Sequence, residues 1–584
     1  MNPSEYAWST MQAIAQKEPS EIKVLVEQEI EYPRLEKDSY GYVLRIPIPT
    51  RPRENLYCLH GMFFDADTKG EASLWRMFRA SIYHLCLHAV HTDFSIYKNL
   101  VDEMNMTVGM FAISLVEDYS IRGFMRANWP GLVLDTAYAN HLSALRFKEL
   151  SASDELSVKM AANLLSYTLV GKPRISIGSA LGQQIKTLWS RLVEIDAGAY
   201  HLAHLARTRN VSEIEKDQKA FNKKKVETAQ RIIENFEDQS AYLNSCPSFP
   251  YTDNYGPNFL FPNSILTASP EEKMNVLNDA CRVFSIDSAE SKLAETDKVL
   301  ETESSNILAD WDRSTSVKQS LIESYRRLDP HSHFEGFLFP KEDFAEYVRT
   351  RSKLIGPIRL ILDQLRMIKS SADEVQGQES GYVDLPTAVQ VLASGKQNND
   401  IFVRDILSTK SEAWAILIDS SKSLENIQGA VKDVAICLSE VAKDLIPNQN
   451  SWACYAFDER FHIVKDFSEI YGNECRARIG GLCNGVKTYL PDAMRLAAKR
   501  LETSGEEVKV LLVISDGFPL GYEGIDNDSV EALKKIEKSG MYVIGIGICS
   551  SFLKKHFKMS CNVESPSDLM KNFVRIYIET SNTF

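Results

Sequence analysis

The sequence predicts a mainly α N-terminal body followed by a C-terminal α/β doubly wound, Rossmann-like domain with a parallel sheet. Up to about residue 400, apolar residues recur at three- and four-residue spacing, as on the buried face of a helix. After about residue 410, continuous apolar runs alternate with amphipathic helices, which is typical of a parallel sheet covered on both faces. The 584 residues are 44% hydrophobic and 25% charged, so we expect folded domains over most of the chain.

The body divides into two predicted parts, a helical N-terminal region over residues 1–150 and a helical middle region over residues 151–400. Spacing of apolar residues predicts the helices Ser73–Phe94, Val101–Arg126, Glu155–Thr168 and Gln183–Ala206. In the middle region, two polar stretches have the pattern of long helices and suggest a helical hairpin or stalk: Val211–Leu243 and Ala289–Arg327. A loop rich in Pro and aromatic residues, Cys246–Ser264, separates them.

The α/β domain is predicted over residues 401–584. Its expected strands are Trp414–Ile418, Trp452–Phe457, Phe461–Val464, Val508–Ile514 and Tyr542–Ile548. Its expected helices are Ile427–Leu445, Leu490–Leu501, Ser529–Ser539 and Pro566–Glu579. In a doubly wound sheet the ligand lies at the carboxyl ends of the strands, so the residues that follow each strand are the candidate site.

Composition excludes several classes of protein. The 66 Lys and Arg against 79 Asp and Glu give a net charge of −13, which disfavours a general binder of nucleic acid or anionic membranes. The ten cysteines contain no CxxC pair, so neither a zinc ribbon nor a disulfide scaffold is expected. The polar N-terminus lacks a signal peptide's apolar segment, and no apolar stretch is long enough to span a membrane. A cytoplasmic protein with reduced thiols fits these observations.

Oxygen-bearing side chains follow the predicted strands at one edge of the sheet. Asp419, Ser421 and Ser423 follow the first strand, Thr488 lies in a loop before a helix, and Asp516 follows the strand Val508–Ile514. A carboxylate with hydroxyls and a second carboxylate forms a hard, all-oxygen set that suits Mg²⁺, with Mn²⁺ as an alternative. Such an ion would keep a coordination position open for a carboxylate of another protein.

Two other interpretations apply to these residues. Ser421 or Ser423 could simply cap the following helix, but capping does not explain Thr488 and Asp516. Asp419 could instead be the nucleophile of a phosphotransfer enzyme. Phosphatases of that type carry a second Asp two residues on, where this chain has Ser421, and receiver domains need an acidic pair that is missing upstream.

The pattern Asp-x-Ser-x-Ser, a lone Thr and a later Ser-Asp-Gly resembles the von Willebrand factor A (VWA) domain with its metal-ion-dependent adhesion site. All five positions match in order. The resemblance implies that the Mg²⁺ ligands are Asp419, Ser421, Ser423, Thr488 and Asp516, with Asp516 acting through water.

Segments outside that domain resemble the nitric oxide reductase activation protein NorD and its relative CbbO. They are the lead-in Gly377–Val389 with Asp400–Arg404, and the early helix Leu115–Arg122 followed by Pro130–Leu132. The resemblance implies a non-enzymatic adaptor that couples a MoxR-type AAA+ ATPase ring to a client complex, such as a nitric oxide reductase-like metalloenzyme. The sequence contains no GxxxxGK[ST] phosphate loop, so ATP hydrolysis would come from the partner.

A second candidate site lies in the body. His84, His88 and His91 share one face of a predicted helix, and the next helix carries Glu117 and Asp118. Imidazoles with a carboxylate could hold Zn or Fe, at His84, His88 and Glu117, or they could be hydrogen-bonded core residues. The alternative function is therefore a metalloenzyme with its chemistry in the body and a VWA domain that recruits substrate.

An adhesion-like ligand binder is a third possible function, which the lack of an export signal disfavours. The run Lys223–Lys225 has acidic neighbours and is predicted to be a solvated helix face.

Overall fold

A computed structural model divides the chain into two compact units, Met1–Thr315 and Ser316–Phe584. It describes residues 3–27, 30, 33–100, 106–146, 156–173, 179–206, 211–236, 268–286, 289–369, 373–378, 382–394, 402–406, 411–517, 519–550, 552–565 and 568–581. The Pro and aromatic loop predicted at residues 246–264 lies outside these ranges.

Helices make up most of the first unit, as the apolar spacing predicts. They are α1 (Pro3–Ala15), α2 (Thr68–His91), α3 (Met106–Asn128), α4 (Val133–Leu145), α5 (Leu156–Val170), α6 (Ser179–Leu205), α7 (Val211–Phe236), α8 (Pro270–Val283) and α9 (Ala289–Leu328), the last of which continues into the second unit. Asp67 caps α2 by accepting a hydrogen bond from the Gly70 amide. The side chains of α2 are buried along most of its length, so this helix forms the centre of one core.

Six short strands near the N-terminus were not predicted. They form two three-stranded sheets, one in the order β1 (Ile22–Val26), β3 (Tyr42–Ile46), β2 (Arg34–Lys37), the other in the order β4 (Thr50–Arg53), β5 (Leu56–Leu59), β6 (Met62–Asp65). Each strand has only four or five residues, a length over which apolar periodicity does not distinguish strand from helix. The N-terminal region is therefore mixed rather than purely helical.

The two long polar helices pack into the body and contribute to different cores, so a projecting hairpin is not what the structure shows. Helix α7 packs against α3 and α6. Helix α9 contributes Leu293, Leu300 and Ile307 to the core around α2. Lys225 on α7 is buried, which corrects the prediction of a solvated face for this residue, whereas Lys223 is exposed.

The second unit contains a seven-stranded sheet, with the strands β7 (Phe337–Leu338), β11 (Glu412–Asp419), β12 (Trp452–Phe457), β13 (Phe461–Lys465), β14 (Val508–Ser515), β15 (Tyr542–Ile548) and β16 (Met559–Val563). Their order in the sheet is β16-β15-β14-β11-β12-β13-β7. Neighbouring strands pair in parallel except β12 and β13. Five of these strands, β11 to β15, match the predicted apolar runs, which confirms the α/β class of this part of the chain.

Helices cover the sheet. They are α10 (Phe344–Lys369), α12 (Gln428–Leu445), α13 (Asn473–Gly480), α14 (Leu490–Glu502), α15 (Ile525–Lys538) and α16 (Val574–Ser581). A further helix, α11 (Leu385–Ser394), lies between α10 and α12 in the chain. Helix α10 packs against α12 and α13, so the unit begins well before residue 401, where the sequence placed the start of the domain. A smaller antiparallel sheet has the order β8 (Asp373–Gln378), β10 (Phe402–Ile406), β9 (Tyr382–Val383).

The sheet register aligns the carboxyl ends of the central strands. Asp419, the last residue of β11, pairs with Phe457 at the end of β12. On its other side, Ile418 pairs with Ile514, one residue before the end of β14. The loops that leave these strands therefore start at one edge. Within the described residues, no helix has the length and apolar character needed to cross a membrane.

Candidate metal centre

The first loop at this edge is organised around the buried carboxylate of Asp419. Its Oδ1 accepts a hydrogen bond from the Ser421 amide at 2.9 Å, and its Oδ2 accepts one from the Ser515 hydroxyl at 2.6 Å. The hydroxyl oxygens of Ser421 and Ser423 lie 2.9 Å apart. Asp419 and Ser421 are buried, whereas Ser423 is exposed at the mouth of the loop. One carboxylate and two hydroxyls thus lie together, as the sequence predicts.

Ser421 occupies the N-cap position of the short 3-10 helix Lys422–Ile427, but its side chain makes no capping hydrogen bond. Its hydroxyl is directed to Ser423 instead. The simple helix-cap interpretation therefore does not account for the Ser421 side chain in this structure.

The second loop begins at the end of β14 and carries Asp516. Ser515 joins it to the first loop, because its hydroxyl donates to Asp419 while also accepting a hydrogen bond from the Gly517 amide at 2.9 Å. Gly517 has φ = +86°, a left-handed conformation that suits glycine and turns the chain after the strand. Ser515 was not among the predicted ligands, and its place directly before Asp516 is the sequence signal that could have identified it.

The third loop carries Thr488 and is tied to both others by backbone hydrogen bonds. The Gly485 amide donates to the Ser420 carbonyl at 2.8 Å. Thr488 and Leu520 exchange backbone hydrogen bonds at 2.8 and 3.2 Å, which joins this loop to the segment after Asp516. Thr488 is buried. The structure thus places all five predicted residues on three mutually connected loops at one edge of the sheet.

Electrostatics at this edge favour a cation. Burial raises the pKa of Asp419 to about 7, the hydrogen bond from Ser515 opposes that rise, and the nearby charge of Asp516 adds to it. Two carboxylates in one partly buried site repel each other, and a divalent ion would relieve that repulsion. The donors are carboxylate and hydroxyl oxygens, the set that Mg²⁺ prefers, so the residues present fit this ion.

The histidine cluster of the body assembles differently from the prediction. The structure brings together His84, His88 and Asp118, with their ligand atoms within 4.8 Å of one another. Glu117 instead binds the Lys225 ammonium at 2.9 Å and the Tyr97 hydroxyl at 2.5 Å. His91 lies outside the cluster, and its Nε2 is 2.8 Å from the Ser120 hydroxyl. The carboxylate beside the two imidazoles is therefore Asp118 rather than Glu117.

The known proteins that resemble this chain align with only part of it. No protein-family model matches the chain. An uncharacterized protein of Pseudomonas aeruginosa is 27% identical in a 138-residue alignment that covers 21% of this chain and 22% of that protein. The chain therefore spans about a fifth of the length of the curated relative it matches.

The solved structures that resemble the chain include von Willebrand factor A domains. The vWF domain of the type V pili tip protein Mfa5 from Porphyromonas gingivalis is 14% identical and covers 30% of this chain and 96% of its own, with a TM-score of 0.24. A von Willebrand factor type A structure from Catenulispora acidiphila is 16% identical and covers 30% of this chain and 43% of its own, with a TM-score of 0.25. These TM-scores are too low to support an argument. The fold class of the C-terminal unit is therefore assigned from the order and direction of its own strands.

Proposed function

We propose that this chain is a non-enzymatic adaptor whose C-terminal VWA-like domain binds partner proteins through a Mg²⁺ ion. The observation that carries the proposal is the convergence of three loops at one sheet edge, where Asp419 lies beside Ser421 and interacts electrostatically with Asp516. A hard cation held by these oxygens would keep a position for an exogenous ligand, and an acidic side chain of a partner would fill it.

The surface next to this edge adds apolar area to the polar site. A cavity of about 340 Å³ is lined by Met494 and Leu533 on the covering helices and by Gly517 and Phe552 on the neighbouring segments. Protein interfaces combine an apolar centre with a few polar anchors. The cavity therefore supports a protein partner rather than a small anion alone.

We further propose that the partners are a MoxR-type AAA+ ATPase ring and a client complex, which the ring activates or remodels. This step rests on the NorD- and CbbO-like segments of the sequence, including Leu115–Arg122 within α3. Part of the lead-in to the domain, residues 379–381 and 395–401, lies outside the described residues. The chain has no phosphate loop of its own, so the ring would supply ATP hydrolysis and this chain would supply recognition.

The test is a pull-down with the full-length chain, a MoxR-type ATPase of the same genome and candidate clients. Binding is measured in Mg²⁺ and in EDTA for the wild type, Asp419→Ala and Asp444→Ala. Asp444 is an exposed carboxylate near the end of helix α12 and provides the matched control. We expect EDTA and Asp419→Ala to abolish capture of the ring or client, and Asp444→Ala to leave it unchanged. Undiminished capture of both partners by Asp419→Ala would contradict the proposal.

A metalloenzyme in the helical body is the second candidate function. It is favoured by the proximity of His84 and His88 to a buried carboxylate. Under this alternative, the C-terminal unit would recruit the substrate, and turnover would require the body's cluster rather than an ATPase ring.

A further inference from the structure

Three side chains from two packed helices meet inside the helical body. His84 and His88 lie one turn apart on α2, and Asp118 lies on α3. The Nε2 atoms of the two imidazoles are 3.1 Å apart, and each lies close to Asp118 Oδ1, at 3.3 Å for His84 and 3.4 Å for His88. Three potential ligand atoms therefore form a nearly equilateral triangle.

These separations match the edges of a coordination polyhedron. Zinc binds imidazole nitrogen and carboxylate oxygen at ~2.0–2.2 Å, and two ligands at that distance around a tetrahedral ion are roughly 3.3–3.5 Å apart. The measured edges of 3.1, 3.3 and 3.4 Å are close to this range. An ion could therefore be placed beside all three atoms with little movement of the helices.

The cations near Asp118 are ion-paired to other carboxylates. Glu117 is neutralised by Lys225 at 2.9 Å, and Arg122 is engaged by Asp196, also at 2.9 Å. The Asp118 carboxylate is buried, and the imidazoles of His84 and His88 lie 3.3 and 3.4 Å from its Oδ1 without the geometry of a hydrogen bond. A buried carboxylate is costly unless it is paired or coordinates a metal.

A contact at the far ring nitrogen orients His88, because its Nδ1 lies 2.9 Å from the Thr92 hydroxyl. A hydrogen bond at the far ring nitrogen is the usual support of a metal-bound histidine, since it fixes which nitrogen faces the ion.

We propose that His84, His88 and Asp118 bind one divalent transition-metal ion, of the Zn²⁺ or Fe²⁺ class, inside the helical body. Two imidazoles and one carboxylate are a ligand set that both ions accept, with the open coordination positions filled by water or an exogenous ligand. The proposal is independent of the Mg²⁺ site in the C-terminal unit.

The first test measures metal content of the full-length protein. The purified chain is stripped with chelator, supplied separately with Zn²⁺, with Fe²⁺ under anaerobic conditions and with Mn²⁺, then desalted and analysed by plasma mass spectrometry. We expect about one equivalent of Zn²⁺ or Fe²⁺ per chain. Retention of neither Zn²⁺ nor Fe²⁺ by the folded protein would overturn the proposal and would leave a hydrogen-bonded core cluster as the explanation.

Matched variants locate the ion. His88→Gln and Asp118→Asn should weaken binding of the ion by at least about tenfold. Removing a residue that only orients a metal ligand already costs about that much, and these residues are themselves the proposed ligands. His91→Gln should keep it, because this half-buried imidazole of the same helix is bonded to Ser120 instead. Asp419→Ala should also keep it, which separates this result from failure of the adaptor proposal. Full retention of the ion by Asp118→Asn would overturn the assignment.

Thermal unfolding provides a second readout. Added Zn²⁺ should raise the melting temperature of the stripped wild type, because a ligand bound only to the native state stabilises it. Asp118→Asn should lose this rise, while its metal-free form should melt at or above the wild-type temperature, since the buried charge is gone. A metal-free Asp118→Asn that melts well below the stripped wild type would show a structural role for the carboxylate and would contradict the proposal.

Discussion

The Ser515 hydroxyl donates a hydrogen bond of 2.6 Å to Oδ2 of Asp419, and thereby connects the ends of two neighbouring strands of the sheet. The same hydroxyl accepts a hydrogen bond from the Gly517 amide. Ser515 thus orients the principal carboxylate of the candidate Mg²⁺ site and the loop that carries Asp516. It is a positioning residue rather than a proposed ligand.

Ser515→Ala should weaken Mg²⁺ binding by roughly 10- to 100-fold, the usual effect of removing a group that orients a metal ligand. Calorimetric titration of the full-length protein with Mg²⁺ would measure this change. Ser529→Ala is the matched control, because that hydroxyl donates to the Ile525 carbonyl within helix α15. Equal Mg²⁺ affinities of Ser515→Ala and the wild type would show that Asp419 does not need this hydrogen bond.

Gly485→Ala should also weaken Mg²⁺ binding, by about tenfold, although it removes no ligand. A Cβ at this position would lie 2.4 Å from Cγ and Oδ2 of Asp458, a buried carboxylate that is 2.9 Å from His462 Nε2. Either the Asp458 side chain or the loop must then shift, and a shift of the loop would disturb the hydrogen bond from the Gly485 amide to the Ser420 carbonyl.

The control for that substitution is Gly429→Ala, where a Cβ meets no atom within 4 Å. The same Mg²⁺ titration serves both variants, with circular dichroism to verify folding. If Gly485→Ala is folded and binds Mg²⁺ like the wild type, the contact between the loops does not set the geometry of the site.

Asp466 should make the stability of the C-terminal unit dependent on acid pH. Burial alone would raise the pKa of this carboxyl, but hydrogen bonds from Arg500, Ser468 and Tyr325 outweigh it and lower the pKa to about 2. Because this value lies below the ordinary pKa of Asp, near 3.9, the stabilisation is present above about pH 4 and is lost as the pH falls towards 2.

Asp466→Asn should therefore lower the free energy of unfolding by about 2 kcal/mol at pH 7 and by much less near pH 2. Urea unfolding at a series of pH values would measure the difference from the wild type. The control is Asp444→Asn, at an exposed position on α12. A deficit that stays constant from pH 7 to pH 2 would mean that the Asp466 charge does not contribute the stabilisation.

Lys225→Met should strongly destabilise the helical body, by roughly 3–5 kcal/mol, because it leaves the Glu117 carboxylate buried without a counter-charge. Both side chains of this ion pair are almost fully buried, with 1% and 0% of their surface exposed. Lys223→Met, which affects only an exposed pair with Glu227, should change stability by less than about 1 kcal/mol. The midpoint of urea unfolding compares the variants.

Adding Glu117→Gln to Lys225→Met should recover part of the lost stability, because the uncompensated charge is then removed. Absence of any recovery would indicate that the Lys225 side chain contributes mainly by packing rather than by its charge.

Local sequence patterns were sufficient to predict the central strands and the first loop of the candidate Mg²⁺ site. The apolar run that ends in Asp419 is a strand in the structure, and Ser421 and Ser423 follow within five residues, so chain connectivity alone brings their oxygens together. The short N-terminal strands were missed because four or five residues carry too little periodicity.

The helical body shows what local patterns cannot supply. Glu117 and Asp118 are adjacent on α3, and one residue of a helix turns the side chain by about 100°. Packing of α7 directs Lys225 to Glu117, while packing of α2 places His84 and His88 against Asp118. The sequence by itself determined the residue types and the helices. Which of the two carboxylates, Glu117 or Asp118, lies beside the histidines depended on which helix packs against each face of α3. Only the tertiary structure decided this, because those contacts join residues far apart in the chain.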